Sequence, residues 1–491
     1  MYKNLAKRKL VMTSMLKIFV ALLAGLFFST TFSGCAVGPD YVAPNIELVP
    51  FHNKVEVVDK EMAVSPSLDR WWMGFNDSEL LKVVQRVLDQ NLFLDVTKAR
   101  VIQARAISDG SSAKLLPTIE FNGSVTRQTL SKEGLFGSIA RNSPNFSRDF
   151  TNFTIGPAAS WEIDFFGGLQ RGEAASKAEF QASEADQAGA RILVVADAAD
   201  AYFQIRGYQV RLNIAEQQIK DDEHLLSLVH DRHTAGSATG REVAQAEALL
   251  KQARASVPLL RIGLEQQMNR LDVLMGVQPG TYMRELHPVT EIVFLPTIPG
   301  DQRPVDVLRR RPDVIAAERH LAASNERIGQ AISEYYPKIS LSGLLGFDSI
   351  SSANLFTGGA FQAIARGTLR WRLFDFGKID AEVMRAKGAN AEALTVYRQA
   401  ILRAAEDVEN SLVVFAQTRI HIDEQQGEVQ ALMKARDLSE QSYKAGSITL
   451  TDVLDADRLL LVARDQLSAK QVDIARAAVG VFRALGGGWD S

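Results

Sequence analysis

The sequence predicts a mainly α-helical chain of two tandem repeats, each with two short β-strands inserted between long helices. Short motifs recur at a fixed offset, two helical patterns are unusually long, and four segments alternate apolar and polar residues. The 491 residues are 46% hydrophobic and 23% charged, which excludes a disordered protein. With 55 Lys and Arg against 58 Asp and Glu, net charge does not indicate a nucleic-acid binder. The single cysteine excludes a disulfide scaffold and a CxxC site.

The first 34 residues have the features of a secretion signal. Basic residues precede an apolar run at 18–28, which is shorter than the roughly 20 residues of a membrane-spanning helix. The only cysteine, Cys35, follows Ser33 and Gly34 and resembles the lipidated cysteine of a bacterial lipoprotein box. Ala36, rather than an aspartate, then implies sorting to the outer membrane. The alternative is an ordinary signal peptide followed by a cysteine without a special role.

The repeat is visible as three pairs of motifs that share an offset of 210 residues. The pairs are Trp161–Gly167 with Trp371–Gly377, Ala235–Ser237 with Ala445–Ser447, and Leu274–Gly276 with Ala484–Gly486. An earlier pair, Leu116-Pro117 and Tyr336-Pro337, lies at 220, so one loop differs in length. We therefore expect a signal peptide at 1–34, a lipidated extended segment at 35–78, a first repeat at 79–284, a linker at 285–311 and a second repeat at 312–491.

Helical periodicity predicts three helices in each repeat. Their expected bounds are Glu79–Lys114, Leu169–His233 and Arg241–Met275, then Asp313–Tyr335, Lys378–Lys444 and Thr451–Leu485. The middle helix of each repeat has a length on the order of 100 Å at about 1.5 Å per residue. Apolar residues seven apart within it are typical of coiled-coil packing. Gly276 and Gly486 are placed as C-terminal caps.

Period-two alternation predicts four strands, at about 119–125, 153–165, 339–347 and 361–373. An apolar outer face and a polar inner face are typical of a membrane barrel, whereas a soluble sheet packed on the helices has the same alternation. Outside the signal peptide no apolar run approaches 18 residues, so entry into a membrane would require strands. Four strands are too few to close a barrel, so several chains would have to contribute. Three chains give twelve strands, and two give eight.

Several motifs together resemble the TolC-like outer-membrane factors, specifically the OprM/NodT-type lipoprotein branch. They are Cys35–Pro44, Arg310–Glu318, Ile328–Ala331, Pro337–Leu341 and Asp452–Ala456. The resemblance implies a homotrimer with a twelve-stranded β-barrel in the outer membrane and a long helical barrel in the periplasm. It implies the exit duct of a tripartite efflux system, which passively conducts small molecules delivered by a periplasmic adaptor protein and an inner-membrane pump of the resistance-nodulation-division (RND) type.

Two other functions remain open at this point: a duct for type I protein secretion, and a lipid-anchored coiled-coil scaffold without a pore. The sequence has no P-loop, no HExxH and no nucleophile elbow. We therefore expect no enzymatic activity, no metal site and no cofactor beyond the covalent lipid on Cys35.

Asp452 and Asp455 are the candidate residues of the periplasmic constriction. They are three residues apart and share a helix face, and the resemblance places aspartates of this motif at the narrow periplasmic end of the duct. An alternative for Asp452 is a capping box with Thr449, as the first repeat has Thr239 and Glu242 at equivalent positions.

Gly236 and Gly446 end the first helix of each helix-turn-helix tip. Glycine at such a position is typical of a C-terminal cap, and the resemblance makes these tips the adaptor-docking end. His230 and His233 lie three residues apart near the first tip. Two histidines without further ligands indicate a solvated helix end rather than a metal site.

Overall fold

The computed structural model of the protein describes residues 36–45, 49–53, 67–131, 133–134, 147–286, 295–298 and 304–489. The helices are α1 (Ser78–Gln90), α2 (Leu92–Ala113), α3 (Gly168–Thr234), α4 (Gly240–Leu274), α5 (Met283–Leu286), α6 (Pro304–Arg310), α7 (Pro312–Ser333), α8 (Lys378–Lys444) and α9 (Leu450–Ala484). The strands are β1 (Thr118–Thr129), β2 (Asp149–Ile163), β3 (Lys338–Ser349) and β4 (Phe361–Arg370). Among the helices of these residues, none has the length and the apolar content that a membrane crossing requires.

The repeat recurs in the lengths and positions of the elements. α3 and α8 have 67 residues each and start 210 residues apart, and α4 and α9 have 35 residues each at the same offset. α2 and α7 have 22 residues each and lie 220 residues apart, as do β1 and β3 with 12 residues each. The two offsets read from the sequence are therefore those of the folded chain.

One predicted helix, Glu79–Lys114, is in fact two, because the chain breaks at Asn91. The backbone N–H of Leu94 donates to Asn91 Oδ1 at 3.1 Å, so the side chain of Asn91 caps the start of α2. Asn91 Nδ2 also donates to the carbonyl of Leu274 at 2.7 Å. The apolar periodicity continues through the break, which is why periodicity alone predicted a single helix.

The chain forms two compact units. The first contains the chain up to Ala43, Arg105–Glu179 and Leu321–Ala393, and the second contains Pro44–Ala104, Phe180–His320 and the chain from Leu394. The whole sheet lies in the first unit, in the antiparallel order β1-β2-β3-β4, so β1 and β4 are its edges.

The register separates the two faces of the sheet. Ser342 is paired with Ser160 and Arg366, and every paired position keeps this parity, so even-numbered residues share one face and odd-numbered residues the other. The even-numbered face is mostly polar. The odd-numbered face is mostly apolar and exposed, with Phe121 71% and Leu369 63% accessible.

Each repeat closes its helix-to-strand junction in the first unit with a tryptophan. Trp161 Nε1 donates to the carbonyl of Leu115, and Trp371 Nε1 donates to the carbonyl of Tyr335, each at 2.9 Å. The indole N–H thus satisfies a backbone acceptor just after the end of a helix, where intrahelical donors run out.

The second unit contains the larger hydrophobic core. Trp71 is 1% accessible and stacks on Phe482, with ring centroids 5.5 Å apart and planes 6° apart. Gly207 of α3 lies against Val472 of α9, so closely that a Cβ at Gly207 would fall 2.4 Å from a Val472 methyl carbon. Small residues at such crossings allow the helices to approach closely.

Candidate functional site

In the second unit, two helix hairpins, α3–α4 and α8–α9, turn at residues 235–239 and 445–449. Gly236 has φ +73° and Gly446 has φ +76°, a left-handed conformation that glycine adopts without a Cβ clash. The Ser237 N–H donates to the carbonyl of Arg232 at 2.8 Å, and Ser447 makes the equivalent bond at 2.9 Å. These are the bonds of a Schellman motif, so the predicted C-capping role of both glycines is confirmed.

A capping box then starts the second helix of each hairpin. The Thr239 N–H donates to Glu242 Oε2 at 2.6 Å, and the Thr449 N–H donates to Asp452 Oδ2 at 2.9 Å. The Thr449 hydroxyl donates to the same Asp452 oxygen at 2.7 Å. Hydrogen bonds from the threonine side chain and backbone lower the pKa of Asp452. The predicted capping role of Asp452 is therefore confirmed.

Asp455, one helical turn further on, takes no part in this cap. Its side chain is 63% accessible, and its nearest ion-pair partner is Arg458 at 3.7 Å. The residue at the same place in the first repeat is Gln245, which is half-buried. The two tips therefore have the same backbone design and differ in charge at this position.

The two hairpins pack on each other just behind the turns. Their buried residues form one cluster of Val229, Ala246, Tyr443, Leu450 and Val453. The Arg232 guanidinium lies 4.4 Å above the centroid of the Tyr443 ring, a cation–π contact between α3 and α8. Burial raises the pKa of Tyr443, and Arg232 partly opposes that rise. Sequence reasoning missed this pair because neither residue belongs to a local motif.

A buried carboxylate lies in the same unit. Asp222 of α3 is 2% accessible; its Oδ1 accepts from Gln218 Nε2 at 2.8 Å, and its Oδ2 has no partner within the described chain. Burial raises the pKa of Asp222 to about 6, with the charges of Asp457 and Asp221 adding to the rise. The sequence does carry a signal, because Asp222 lies seven residues before buried Val229 and so occupies an apolar heptad position.

Asp457 of α9 shares its surroundings with a base. Arg436 Nε of α8 donates to Asp457 Oδ1 at 2.9 Å, and the Asp457 side chain is 12% accessible. Burial raises the pKa of Asp457 in spite of Arg436. A charged network therefore connects α8 and α9, and the charge of Asp457 reaches Asp222 on α3.

The histidines of the first tip contribute to the turn. The ring Nδ1 of His233 lies 2.9 Å from the carbonyl oxygen of Ala238, at hydrogen-bond distance across the turn. In the residues described by the structure, no three His, Cys, Asp or Glu side chains are grouped so that they could hold a metal ion.

Cys35 lies outside the described residues, but the chain directly after it, in the first unit, is firmly bound. Arg171 of α3 donates to the Val37 carbonyl at 3.2 Å and to Asp40 Oδ1 at 2.8 Å. The same guanidinium donates to Glu326 Oε2 of α7 at 2.8 Å, and its side chain is only 9% accessible. Arg171 therefore fastens the extended N-terminal segment to two helices.

Comparison with known proteins gives consistent matches along the chain. The family model described as "Outer membrane efflux protein" matches residues 83–277 and 304–487. The pyoverdine export outer membrane protein OpmQ of Pseudomonas aeruginosa is 34% identical over 424 residues, or 86% of this chain and 88% of OpmQ. The solved outer-membrane channel OprN is similar with a TM-score of 0.83 and 28% identity, covering 93% of this chain and 100% of OprN. The CmeC outer membrane channel of Campylobacter jejuni has a TM-score of 0.83 and 25% identity, covering 92% and 95%.

Proposed function

This chain belongs to the outer membrane efflux protein family and is an outer-membrane efflux channel, and on this premise we propose that it is the passive exit duct of a tripartite pump. It lies in the outer membrane and extends into the periplasm. The TolC-like fold that the sequence predicts is confirmed, since the chain is mostly helical with one four-stranded sheet. The duct would move solutes without converting them chemically.

The sheet is the observation that carries this proposal. It has one polar face, one exposed apolar face, and two edge strands without a neighbour. Each unpaired backbone group in lipid costs several kcal/mol, so edges of this kind need partners. We propose that three copies join β4 of one to β1 of the next and close a twelve-stranded barrel, with the polar face lining the lumen.

The partners follow from the tripartite design. We propose that a periplasmic adaptor protein docks on the exposed turns at Gly236 and Gly446, and that an RND-type inner-membrane pump supplies cargo and energy. The support is that both turns have the same hydrogen-bonded geometry and are exposed, so that an adaptor would meet two similar surfaces in each copy.

We also propose that Cys35 carries the lipid anchor. The support is the tight binding of the residues that follow it, because Arg171 holds Val37 and Asp40. A lipid attached two residues before Val37 would therefore have a fixed point of attachment on the protein.

Asp455, with Asp452 beside it, is our proposed constriction residue. Three copies would bring six carboxylates together, and a ring of carboxylates attracts cations and resists narrowing by mutual repulsion. The support is that Asp455 is exposed and outside the cap, so its charge is available to the lumen.

Electron microscopy of the mature lipidated protein in detergent tests the proposal. We expect a particle with three-fold symmetry and an axial channel, and ion conductance when the protein is inserted into a planar bilayer. A monomeric particle without an axial channel would overturn the duct and favour a lipid-anchored scaffold.

A further inference from the structure

We propose that Arg366 and Arg370 of β4 are selectivity residues that favour anionic cargo in the sheet region of the duct. The inference rests on the proposed function, because it requires the polar face of the sheet to line the lumen. The ligand class is small molecules that carry carboxylate, sulfonate or phosphate groups.

The register places both arginines on the polar face. Arg366 is paired with Ser342 and Arg370 with Lys338, all at even-numbered positions. Residues four apart along a strand are separated by about 13 Å, at about 3.3 Å per residue. Both side chains are exposed, so each copy presents two cations along one strand.

Nearby acids do not neutralise these arginines. Arg370 lies directly opposite Lys338, and like charges in such a position destabilise a sheet. Glu334 is the acid at this end of the sheet, and it already binds Lys338 and Arg372, the latter at 2.9 Å. In the part of the chain that the structure describes, neither Arg366 nor Arg370 has a hydrogen bond or an ion pair.

The charges of the polar face are segregated by hairpin. The β3–β4 hairpin carries the cations, whereas the acids Glu120 and Glu162 lie on β1 and β2. The one acid of β3 on this face, Asp348, accepts hydrogen bonds from Asn152 Nδ2 at 2.9 Å and Thr154 Oγ1 at 2.8 Å. The free cations are therefore not interleaved with acids along their own strand.

A cationic strip of this kind acts on permeating ions by its field. In a water-filled lumen the field extends about 10 Å at 0.1 M salt and about 3 Å at 1 M salt. Three copies would repeat the strip around the pore. An anion would be attracted by exposed guanidinium groups in several equivalent places and held by none, which is the condition for passage rather than trapping.

The test is the reversal potential of the full-length channel in planar bilayers under a KCl gradient. We expect Arg366→Gln and Arg370→Gln to shift the reversal potential toward K⁺ selectivity, and the double variant to shift it further. The shift should be clear near 0.1 M salt and largely lost near 1 M, because of screening. Glu120→Gln should shift it in the opposite direction.

Arg127→Gln is the matched control. Arg127 is on the same sheet but at an odd-numbered position of the other face, where it donates to Thr151 Oγ1 at 3.1 Å. We expect this variant to keep the wild-type reversal potential. A shift as large as that of Arg366→Gln would overturn the assignment of faces.

Two further outcomes have separate meanings. If Arg366→Gln and Glu120→Gln both lower the thermal stability of the trimer and leave the reversal potential unchanged, the residues form an ion pair between copies and the selectivity proposal is wrong. If the wild-type protein conducts no ions, the duct itself fails. Conductance with an unchanged reversal potential in the double variant overturns only the selectivity inference.

Discussion

Asp222 makes the stability of the second unit depend on pH. Its pKa is about 6 in the folded chain, against about 3.9 for an unfolded aspartate. Between these values the folded state binds more protons than the unfolded state, so stability falls as pH rises through this window. Asp222→Asn removes the buried charge. We expect it to stabilise the protein at pH 8 by about 2 kcal/mol, the order of a shift of two pKa units, and to have little effect at pH 4.

Thermal melts across this pH range check the prediction. The groups that act on Asp222 are Gln218 and Asp221 of α3 and Asp457 of α9, which is itself paired with Arg436. Asp423→Asn, an exposed site on α8, is the control and should melt like the wild type at both pH values. An Asp222→Asn variant whose effect is equal at pH 4 and pH 8 would contradict the linkage.

Asp452 and Asp455 are neighbours that should fail in different ways. Asp452→Ala removes the acceptor for the Thr449 N–H and hydroxyl, so we expect a lower melting temperature. Asp455→Ala removes an exposed charge without a capping role, so we expect an unchanged melt and a reversal potential shifted toward anions. Circular-dichroism melts and bilayer recordings on both variants separate stability from selectivity. A destabilised Asp455→Ala variant with wild-type selectivity would refute this division of roles.

The crossing of α3 and α9 depends on the absence of a side chain at Gly207. Gly207→Ala would put a Cβ 2.4 Å from a Val472 methyl carbon, and overpacking of this kind costs about 1–3 kcal/mol. We therefore expect a lower urea midpoint. Gly427→Ala is the matched control within a long helix, because a Cβ there meets nothing within 4 Å. Helix propensity should make that change stabilising by up to about 1 kcal/mol, and a Gly207→Ala variant of equal or higher stability would contradict the close crossing.

At the scale of elements, the sequence predicts most helix and strand limits because local patterns determine them. α8 has the predicted bounds Lys378–Lys444, and its end coincides with the cap at Gly446. The break at Asn91 was missed because apolar periodicity is insensitive to a single capping residue. Asn91 itself carries the signal, since asparagine is a preferred N-cap.

The candidate site divides along the same line. The turns and capping boxes are contained within short segments, so Gly236, Gly446 and Asp452 could be assigned from spacing alone. The contact of Arg232 with Tyr443 brings together residues more than 200 positions apart, and no local pattern specifies it. The unpaired oxygen of Asp222 likewise depends on how three helices pack.

At the scale of the whole molecule, closure of the sheet between copies can be tested directly. We combine Asn122→Cys on β1 in turn with Gln362→Cys, Ile364→Cys and Thr368→Cys on β4, all at even-numbered positions of one face. Because a disulfide needs a Cα separation of about 4.4–6.8 Å, we expect one combination to yield covalent trimers on a denaturing gel after oxidation. Asn122→Cys alone should stay monomeric. Covalent dimers as the largest product would indicate an eight-stranded closure instead.

The hairpin turns also bear on how the chain folds. Every bond that shapes the first turn joins residues between Arg232 and Glu242, and loops of this size close in tens of nanoseconds. Pairing of the sheet, by contrast, joins Trp161 to Leu341 and must overcome the entropy of a long intervening loop. The tips can therefore form early and fix the alignment of each helix pair, while the sheet assembles late. Such an order keeps unpaired strand edges exposed for the longest time, when they are most prone to aggregation.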